Sequence, residues 1–329
     1  LFDGCIMKNS VVMATYNGAK YIIEQLDSIK NQTMRPDEVI ISDDGSTDDT
    51  LQIVNNYIAK NHLSGWKVTI NKRKKGFFNN FFNALGFATG DIIYLADQDD
   101  VWNLNKIETF TKKYTECLDV TMIQSNVRFI DENGEKLNSR EIYHNKTSKN
   151  DFTELSTRDM CKFAGSGYTM SFRKSVLDVI FKNKLDTQEK LFKFHDIVIG
   201  LMSAATGCCL LSMDIVDSHR LHNDNATLSI KKKSWADRTK DIQLDILRRR
   251  KEYFSILSKY CTNENKKKYF KKCSLFAALR NKYINKFSFD LFLQLLKNND
   301  FYANRLGIVT DTFYSLNQEK LLLRVYKFF

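Results

Sequence analysis

Residues 91–102 read DIIYLADQDDVW: an apolar run, Ile92–Ala96, stops abruptly at three carboxylates, Asp97, Asp99 and Asp100. A run this short, bounded by Gly90 and by charge, has the signature of a buried strand. Carboxylates crowded at a strand end repel one another and raise each other's pKa unless a cation sits among them. An all-oxygen ligand set suits Mg²⁺ or Mn²⁺, with phosphates of a substrate completing the shell. The plainer alternative is an acidic turn after the strand. An EF-hand is excluded, because Val101 and Trp102 stand where a calcium loop needs an oxygen ligand and a glycine.

On the N-terminal side the same pattern occurs twice more. Ser10–Thr15 (SVVMAT) is an apolar strand running into Tyr16, Asn17 and Gly18, followed by helical spacing over Tyr21–Ile29. Glu38–Ser42 (EVIIS) ends in Asp43, Asp44, Gly45, Ser46 and Thr47, and the spacing predicts a helix over Asp48–Lys60 that Ser46 or Thr47 could cap. Strands alternating with helices of this length predict an α/β fold with a mostly parallel, Rossmann-like sheet, whose ligands lie beyond the carboxyl ends of the strands. No GxGxxG or Walker motif is present, so a glycine-rich phosphate cradle is not the device used. Asp43 and Asp44 suit hydrogen bonds from a base and ribose hydroxyls, or a helix-capping cluster. A third strand, Lys67–Asn71, precedes the basic run Lys72–Lys75 and Gly76; Asn79, Asn80 and Asn83 then lie on an otherwise apolar helix and need partners, either backbone or ligand.

On the C-terminal side, VTMIQSNVRFI from Val120 reads as another strand, and CKFAGSGYTMSF at 161–172 sets Gly165 and Gly167 before a strand, where glycine allows close approach of a ligand or a tight bend. His195 and Asp196 precede a helix, so Asp196 is either a cap or a positioned carboxylate. Arg220 and His222 follow a strand expected at Cys208–Met213 and offer a cation and an imidazole, the latter a common partner of carboxylates in metal sites.

Taken together, ATYNG at 14–18, ISDDGSTDDT at 41–50, FNNFFNAL at 78–85 and ADQDDVW at 96–102, in this order, resemble a family 2 glycosyltransferase of the GT-A fold. FHDIVIGLMSAATG at 194–207 and SHRLHNDNATLS at 218–229 are similar to a bacterial branch that includes rhamnosyltransferases, and the resemblance covers roughly residues 8–230. Two departures stand out: Ile197 and Val198 replace aromatics that the branch often carries after the His-Asp pair, and Asn103 replaces a proline. The resemblance implies an inverting, metal-dependent transfer of a sugar, rhamnose among the candidates, from a UDP- or dTDP-sugar to a saccharide or lipid-linked acceptor in cell-surface polysaccharide synthesis. It implies donor nucleotide contacts at Thr15, Tyr16, Asn17, Asp43, Asp44, Asn79, Asn83 and Asp97. Mn²⁺ or Mg²⁺ would sit on Asp99 and His222; Gly165, Ser166, Gly167, His195 and Arg220 would line the acceptor or diphosphate site, and Asp196 would be the catalytic base. The rival readings are a non-catalytic nucleotide-sugar binding module and a nucleic-acid binding protein.

Composition bounds the rest. In 329 residues, 43% are hydrophobic, enough for a substantial core. Seven cysteines without a CxxC spacing argue against a disulfide framework or zinc site and for a reducing compartment, the cytoplasm. Met7 before a strand-like run could be the natural start, and LFDGCI is no signal peptide. The uncharged run Ile197–Met213 is too weakly apolar for a membrane span.

Charge is placed unevenly, with 23 Lys or Arg against 9 Asp or Glu in residues 231–329 and 27 against 30 before them. This predicts a catalytic domain over 7–230 and a basic, helical region over 231–329. Stripes at Ile242, Ile246, Tyr253, Leu257 and Tyr260, and at Tyr269, Cys273, Phe276, Leu279, Tyr283 and Phe287, predict packed helices. Basic clusters at Lys231–Lys233, Arg248–Lys251 and Lys266–Lys272 suit anionic lipid or nucleic-acid phosphates, or a solvated face. Glu319–Phe329 has an interfacial-helix pattern, so peripheral attachment to the inner face of the plasma membrane, or homodimerisation, is the expected task of the region, with nucleic acid disfavoured.

Overall fold

The structure, a computed structural model, describes residues 7–137, 151–162, 166–223, 225, 239–302 and 307–318. The chain divides into two compact units, Leu1–His222 and Asn223–Phe329.

The first unit is built on a nine-stranded sheet. Its first half is parallel: β1 (Asn9–Thr15) lies between β2 (Glu38–Asp43) and β4 (Ile92–Asp97), with β3 (Trp66–Ile70) outside β2. Helices α1 (Ile22–Lys30), α2 (Thr50–Lys60) and α3 (Phe77–Leu85) make the crossovers. β1, β2 and β4 are almost wholly buried, which is why they read as continuous apolar runs rather than alternating ones. Because all three point the same way, their polar ends emerge on one edge. In the pairing register Ala14 stands opposite Asp97 and Thr15 opposite Asp43, so three functional loops start level with one another.

The second half of the sheet departs from the mostly parallel expectation. β8 (Met170–Arg173) runs antiparallel between β4 and β6 (Val120–Ile130). β9 (Cys208–Arg220) is parallel to β6, while β5 (Val101–Trp102) and β7 (Phe152–Glu154) pair with β9 antiparallel. β9 runs on to Arg220 rather than stopping at Met213. Register shifts along β6 at Val120/Met122, Ser125/Asn126 and Asn126/Val127 let the two long strands stay paired as they bend. The β5–β9 pairing, Val101 opposite Ser218 and Trp102 opposite Asp217, brings the segment after the acidic cluster against the end of β9. Further helices are α4 (Lys106–Glu116), α5 (Thr157–Lys162), α6 (Lys174–Lys182), α7 (Glu189–Phe192) and α8 (His195–Thr206).

Beneath the cluster lies an ionic lock. The Lys106 ammonium is fully buried, donates to Asp217 and to the Tyr168 carbonyl, and sits 3.8 Å above the Trp102 ring. Ser125 Oγ donates to the same Asp217 carboxylate. A buried charge is tolerated when its partners satisfy it this fully, and removing one of them leaves the other stranded.

The second unit is helical, with long helices at Lys240–Tyr260 and Glu264–Asn285 and shorter ones at Phe289–Lys297 and Gly307–Ser315. Leu244, Leu247, Ala277, Ile284 and Tyr314 form one cluster of its core. The expected stripe is shifted here, since Ile242 is exposed and Leu244 and Leu247 are buried instead. Arg280 makes a two-pronged ion pair with Asp311, whose Oδ2 also accepts from the Tyr302 hydroxyl. Lys231–Lys233 and Glu319–Phe329 lie outside the described residues. Among the described residues no helix is long and apolar enough to cross a membrane.

Candidate functional site

The ends of β1, β2 and β4 are knitted together by side chains acting on loop backbone. Asp43, fully buried, accepts from the Gly45 and Ser46 N–H groups, the Ser46 hydroxyl and Thr15 Oγ1. Gly45, at φ +86, supplies the left-handed turn that aims those amides at the carboxylate. Asp44 accepts from Asn71 Nδ2 and from the N–H of Gly76, another positive-φ glycine, and so ties the loop after β3 to the loop after β2. Asn17 holds φ +49 while its Oδ1 accepts from the Thr47 N–H, and its own N–H donates to Ser46 Oγ.

Ser46 and Thr47 therefore bridge loops rather than cap α2. The α2 helix begins at Thr50, whose N–H donates to Asp48 Oδ1. Tyr16 is exposed, and its backbone is clasped by Gln98, which accepts from the Tyr16 N–H at 2.9 Å and donates to the Tyr16 carbonyl at 3.0 Å. Gly18 makes room for this amide, since a Cβ there would fall 2.2 Å from Gln98 Oε1.

The asparagines of α3 divide their work. Asn80 donates to the Thr15 and Ser42 carbonyls and accepts from the Ser42 hydroxyl, and Asn83 donates to Ser42 Oγ and accepts from the Lys72 N–H. Asn80 thus holds the ends of β1 and β2, and Asn83 those of β2 and β3. Asn79 turns to Glu189, which also pairs with Lys74. The Lys75 ammonium reaches over Gly45, 2.9 Å from where a Cβ would stand.

At the end of β4, one carboxylate oxygen from each of Asp97, Asp99 and Asp100 lies within 4.8 Å of the others. Burial, then Asp100 and Asp99, hold the Asp97 carboxyl well above the ordinary carboxylate range. Asp100 is raised mainly by burial, against the opposing pull of His219. Its Oδ1 lies 2.8 Å from His219 Nδ1 and accepts the Arg220 N–H, while its buried Oδ2 has no hydrogen-bond partner among the described residues. His219, stacked 4.2 Å from Tyr168, is pulled down by burial but pushed up to about 9 overall by Asp100, Asp99 and Asp97. His222 Nε2 lies 2.8 Å from Asp99 Oδ2, with its ring against Tyr21.

An orphaned buried oxygen, repelling carboxylates and an imidazole on the rim form a donor set that fits Mg²⁺ or Mn²⁺. One carboxylate oxygen from each of Asp97, Asp99 and Asp100 would hold it.

Arg220 occupies a different place from the open site expected of it. It is fully buried, and its guanidinium donates to the carbonyls of Asp99, Asp131 and Glu132 and to the Glu24 carboxylate. It fixes the backbone of the acidic loop from below.

Asp196 lies in the first turn of α8, after His195, with Phe194 at the N-cap position, so it is not the capping residue. Its Oδ1 accepts the N–H of Ile197, and the Gly167 N–H also stabilises its charge. Burial outweighs these bonds and pushes its pKa up to about 6. Asp196 in turn adds to the charge felt by Asp97, so the base candidate and the acidic cluster share one field.

His195 stacks 3.8 Å from Phe81; both of its ring nitrogens are buried without a partner among the described residues, and burial lowers its pKa to about 3. Gly167 abuts this pair, with a Cβ there falling 2.8 Å from His195 Nε2. Ser166 is buried beside it, and Gly165 lies outside the described residues.

Sequence reasoning did not single out Gln98 or His219, gave Ser46 only a capping role and noted Lys75 only as part of a basic run. Only His219 left a signal, as a second histidine three residues before His222.

Over 179 residues, 53% of each chain, the sequence is 27% identical to an uncharacterized glycosyltransferase of Nostoc sp.. It is 31% identical over 125 residues to chondroitin synthase of Escherichia coli, and 40% over 100 residues to the poly(ribitol-phosphate) beta-N-acetylglucosaminyltransferase TarS of Staphylococcus aureus. These stretches span about half of the Nostoc protein and only 18% and 17% of the other two.

The crystal structure of S. aureus TarS 1-349 in complex with UDP-GlcNAc superposes with a TM-score of 0.63, covering 98% of this chain and 92% of that one at 18% identity. At that identity the likeness shows the fold, a GT-A sheet with flanking helices and a C-terminal helical region. The Glycosyl transferase family 2 model matches residues 10–181, more than half of the chain and the whole run from β1 through α6, and the chain belongs to that family.

Proposed function

We propose that the chain transfers a sugar, with inversion, from a nucleoside-diphosphate sugar to an acceptor hydroxyl, with Asp196 as the general base. The observation that carries this reading is a buried carboxylate with a pKa of about 6, within the field of the acidic cluster. The acceptor oxygen bonds to the anomeric carbon as the bond from that carbon to the diphosphate oxygen breaks. The hydroxyl proton passes to Asp196, and the nucleoside diphosphate leaves with the bonding electrons. A base works best when its pKa lies near the working pH, and such assistance contributes about 10²- to 10⁴-fold. His195 is the nearest competitor, but a conjugate acid near pH 3 makes it a far weaker base.

Mn²⁺ or Mg²⁺ bound at the cluster would neutralise charge on the departing diphosphate. Asp97 and Asp99 would hold it together with Asp100 Oδ2, and His222 would act through Asp99 or as a further ligand. The loops fixed by Asp43 and Asp44, with Thr15, Tyr16, Asn17, Asn79 and Asn83, form the nucleotide side. A UDP-sugar comes first as donor, supported by the relatives that TarS represents. A dTDP-sugar such as rhamnose, drawn from the motif resemblance, comes second. A saccharide or lipid-linked acceptor of cell-surface polysaccharide synthesis accords with the family.

We further propose that the enzyme works in the cytoplasm at the inner membrane face. The excess of basic residues after residue 230, and the exposed Phe289, Leu293 and Leu296 on one side of the Phe289–Lys297 helix, support this. Preferential sedimentation with anionic over neutral vesicles is the expected outcome; equal sedimentation with both points instead to packing or dimerisation.

A donor panel of UDP-N-acetylglucosamine, UDP-glucose and dTDP-rhamnose, scored for nucleoside diphosphate release with and without Mn²⁺, tests the reaction. Asp196→Asn is expected to keep the fold and donor affinity and lower transfer by at least about 10². Since Asp196 acts only when ionised, the wild-type rate should be level above pH 6 and fall toward about tenfold per unit below it, and the variant should lose that limb. A near wild-type Asp196→Asn beside a dead His195→Ala would move the base to His195.

A further inference from the structure

Two aromatic layers lie at the start of α8, on the two residues that precede Asp196. The inner one, Phe81 against His195, is buried and explained by packing. The outer one is not. Phe77, the first residue of α3, stacks on Phe194 with ring centroids 5.5 Å apart and planes 22° from parallel, and stands edge-on to His195 at 6.4 Å. Phe194 is half-buried, and Phe77 is 39% exposed. Phe77 is also held firmly, because the preceding Gly76 donates its N–H to Asp44 and Phe194 immediately precedes the His195-Asp196 turn. Exposed phenylalanines scattered over a surface need no explanation, but a rigid, solvent-facing pair at the shoulder of a candidate base is a different matter.

We infer that Phe77 and Phe194 form the acceptor subsite, a shelf that takes the apolar face of a pyranose ring so that a hydroxyl on the ring's edge meets Asp196. A pyranose presents C–H groups on its faces and hydroxyls around its rim, so it suits a flat apolar surface with a carboxylate at the border. The acceptor is the occupant, because a base must lie next to the group it deprotonates and the donor's charged portion belongs with the carboxylate cluster. The shelf is open to solvent, as entry of an acceptor requires. The inference rests on Asp196 serving as the base.

Saturation-transfer NMR with methyl β-D-glucopyranoside, and acyclic ribitol as control, tests the shelf without any turnover. The expected pattern is saturation of H1, H3 and H5, which share one face, above H2 and H4. Ribitol should show no sided pattern. The sided signal should be lost in Phe77→Leu and Phe194→Leu and kept in Phe77→Trp, with thermal midpoints confirming that each variant is folded. In transfer assays Phe77→Leu should raise acceptor KM about tenfold with little change in donor KM, and Phe77→Trp should restore it. An unchanged signal in folded Phe77→Leu overturns the inference, as does a rise in donor rather than acceptor KM. Absence of the sided pattern in the wild-type protein while Asp196→Asn remains slow sinks the shelf alone; a fast Asp196→Asn beside an intact sided pattern sinks the base assignment instead.

Discussion

Two acidic strand ends lie close together on one sheet edge and are treated in opposite ways. At the end of β2, Asp43 accepts four hydrogen bonds and Asp44 two, all from the loops around them. At the end of β4, His219 and the Arg220 N–H both meet Asp100 Oδ1 and His222 meets Asp99, while Asp100 Oδ2 is left unpartnered among the described residues. The residue type is the same, so the supply of donors decides the task. Saturated carboxylates shape a loop, whereas crowded ones raise each other's pKa.

The largest expected effect on that contrast is at Asp99, where Asp99→Asn should abolish diphosphate release at any Mn²⁺ concentration; a wild-type rate in this variant or in excess chelator would break the metal assignment. Next, Mn²⁺ at about a hundred times its Kd should stabilise the folded protein by about 2.7 kcal/mol, read as a rise in thermal midpoint. Asp43→Asn should retain that rise and Asp99→Asn should not. Asp43→Asn should itself cost about 2 kcal/mol of stability, because an amide nitrogen would face donors instead of accepting from them, with a midpoint lower by about 4–8 °C. The smallest effect belongs to Asp44→Asn, about 1 kcal/mol, since it loses fewer bonds on a more exposed loop. If Asp43→Asn were neutral for stability and fatal for donor binding, the contrast between the two strand ends would collapse.

The acidic cluster was legible because a buried run ending in charge is a local pattern that few other arrangements produce. The parallel half of the sheet was legible for the same reason. The antiparallel half was not, because β8 and β5 are four and two residues long and pair with distant segments, β8 with β4 and β6 and β5 with β9. Asn79, Asn80 and Asn83 show the limit most clearly. Their helical spacing is plain in sequence, yet which of them reaches the Thr15 and Ser42 carbonyls depends on how α3 lies over the sheet. Arg220 was read as a cation for a ligand because nothing local reveals that Asp99, Asp131 and Glu132 turn their carbonyls toward it. The Lys106–Asp217 pair joins residues 111 positions apart and leaves no trace in either neighbourhood.

The grip of Gln98 on Tyr16 has a thermodynamic consequence. By accepting from the N–H and donating to the carbonyl of one residue, a side-chain amide imitates a neighbouring strand and gives the Thr15–Gly18 turn a two-point anchor before any nucleotide arrives. A turn already ordered forfeits little freedom when it is occupied, so calorimetry of nucleotide binding should record only a small entropic penalty from this segment. Gln98→Ala would release the anchor, leaving the direct contacts of the turn intact while the loss in affinity appears in the entropy rather than the enthalpy.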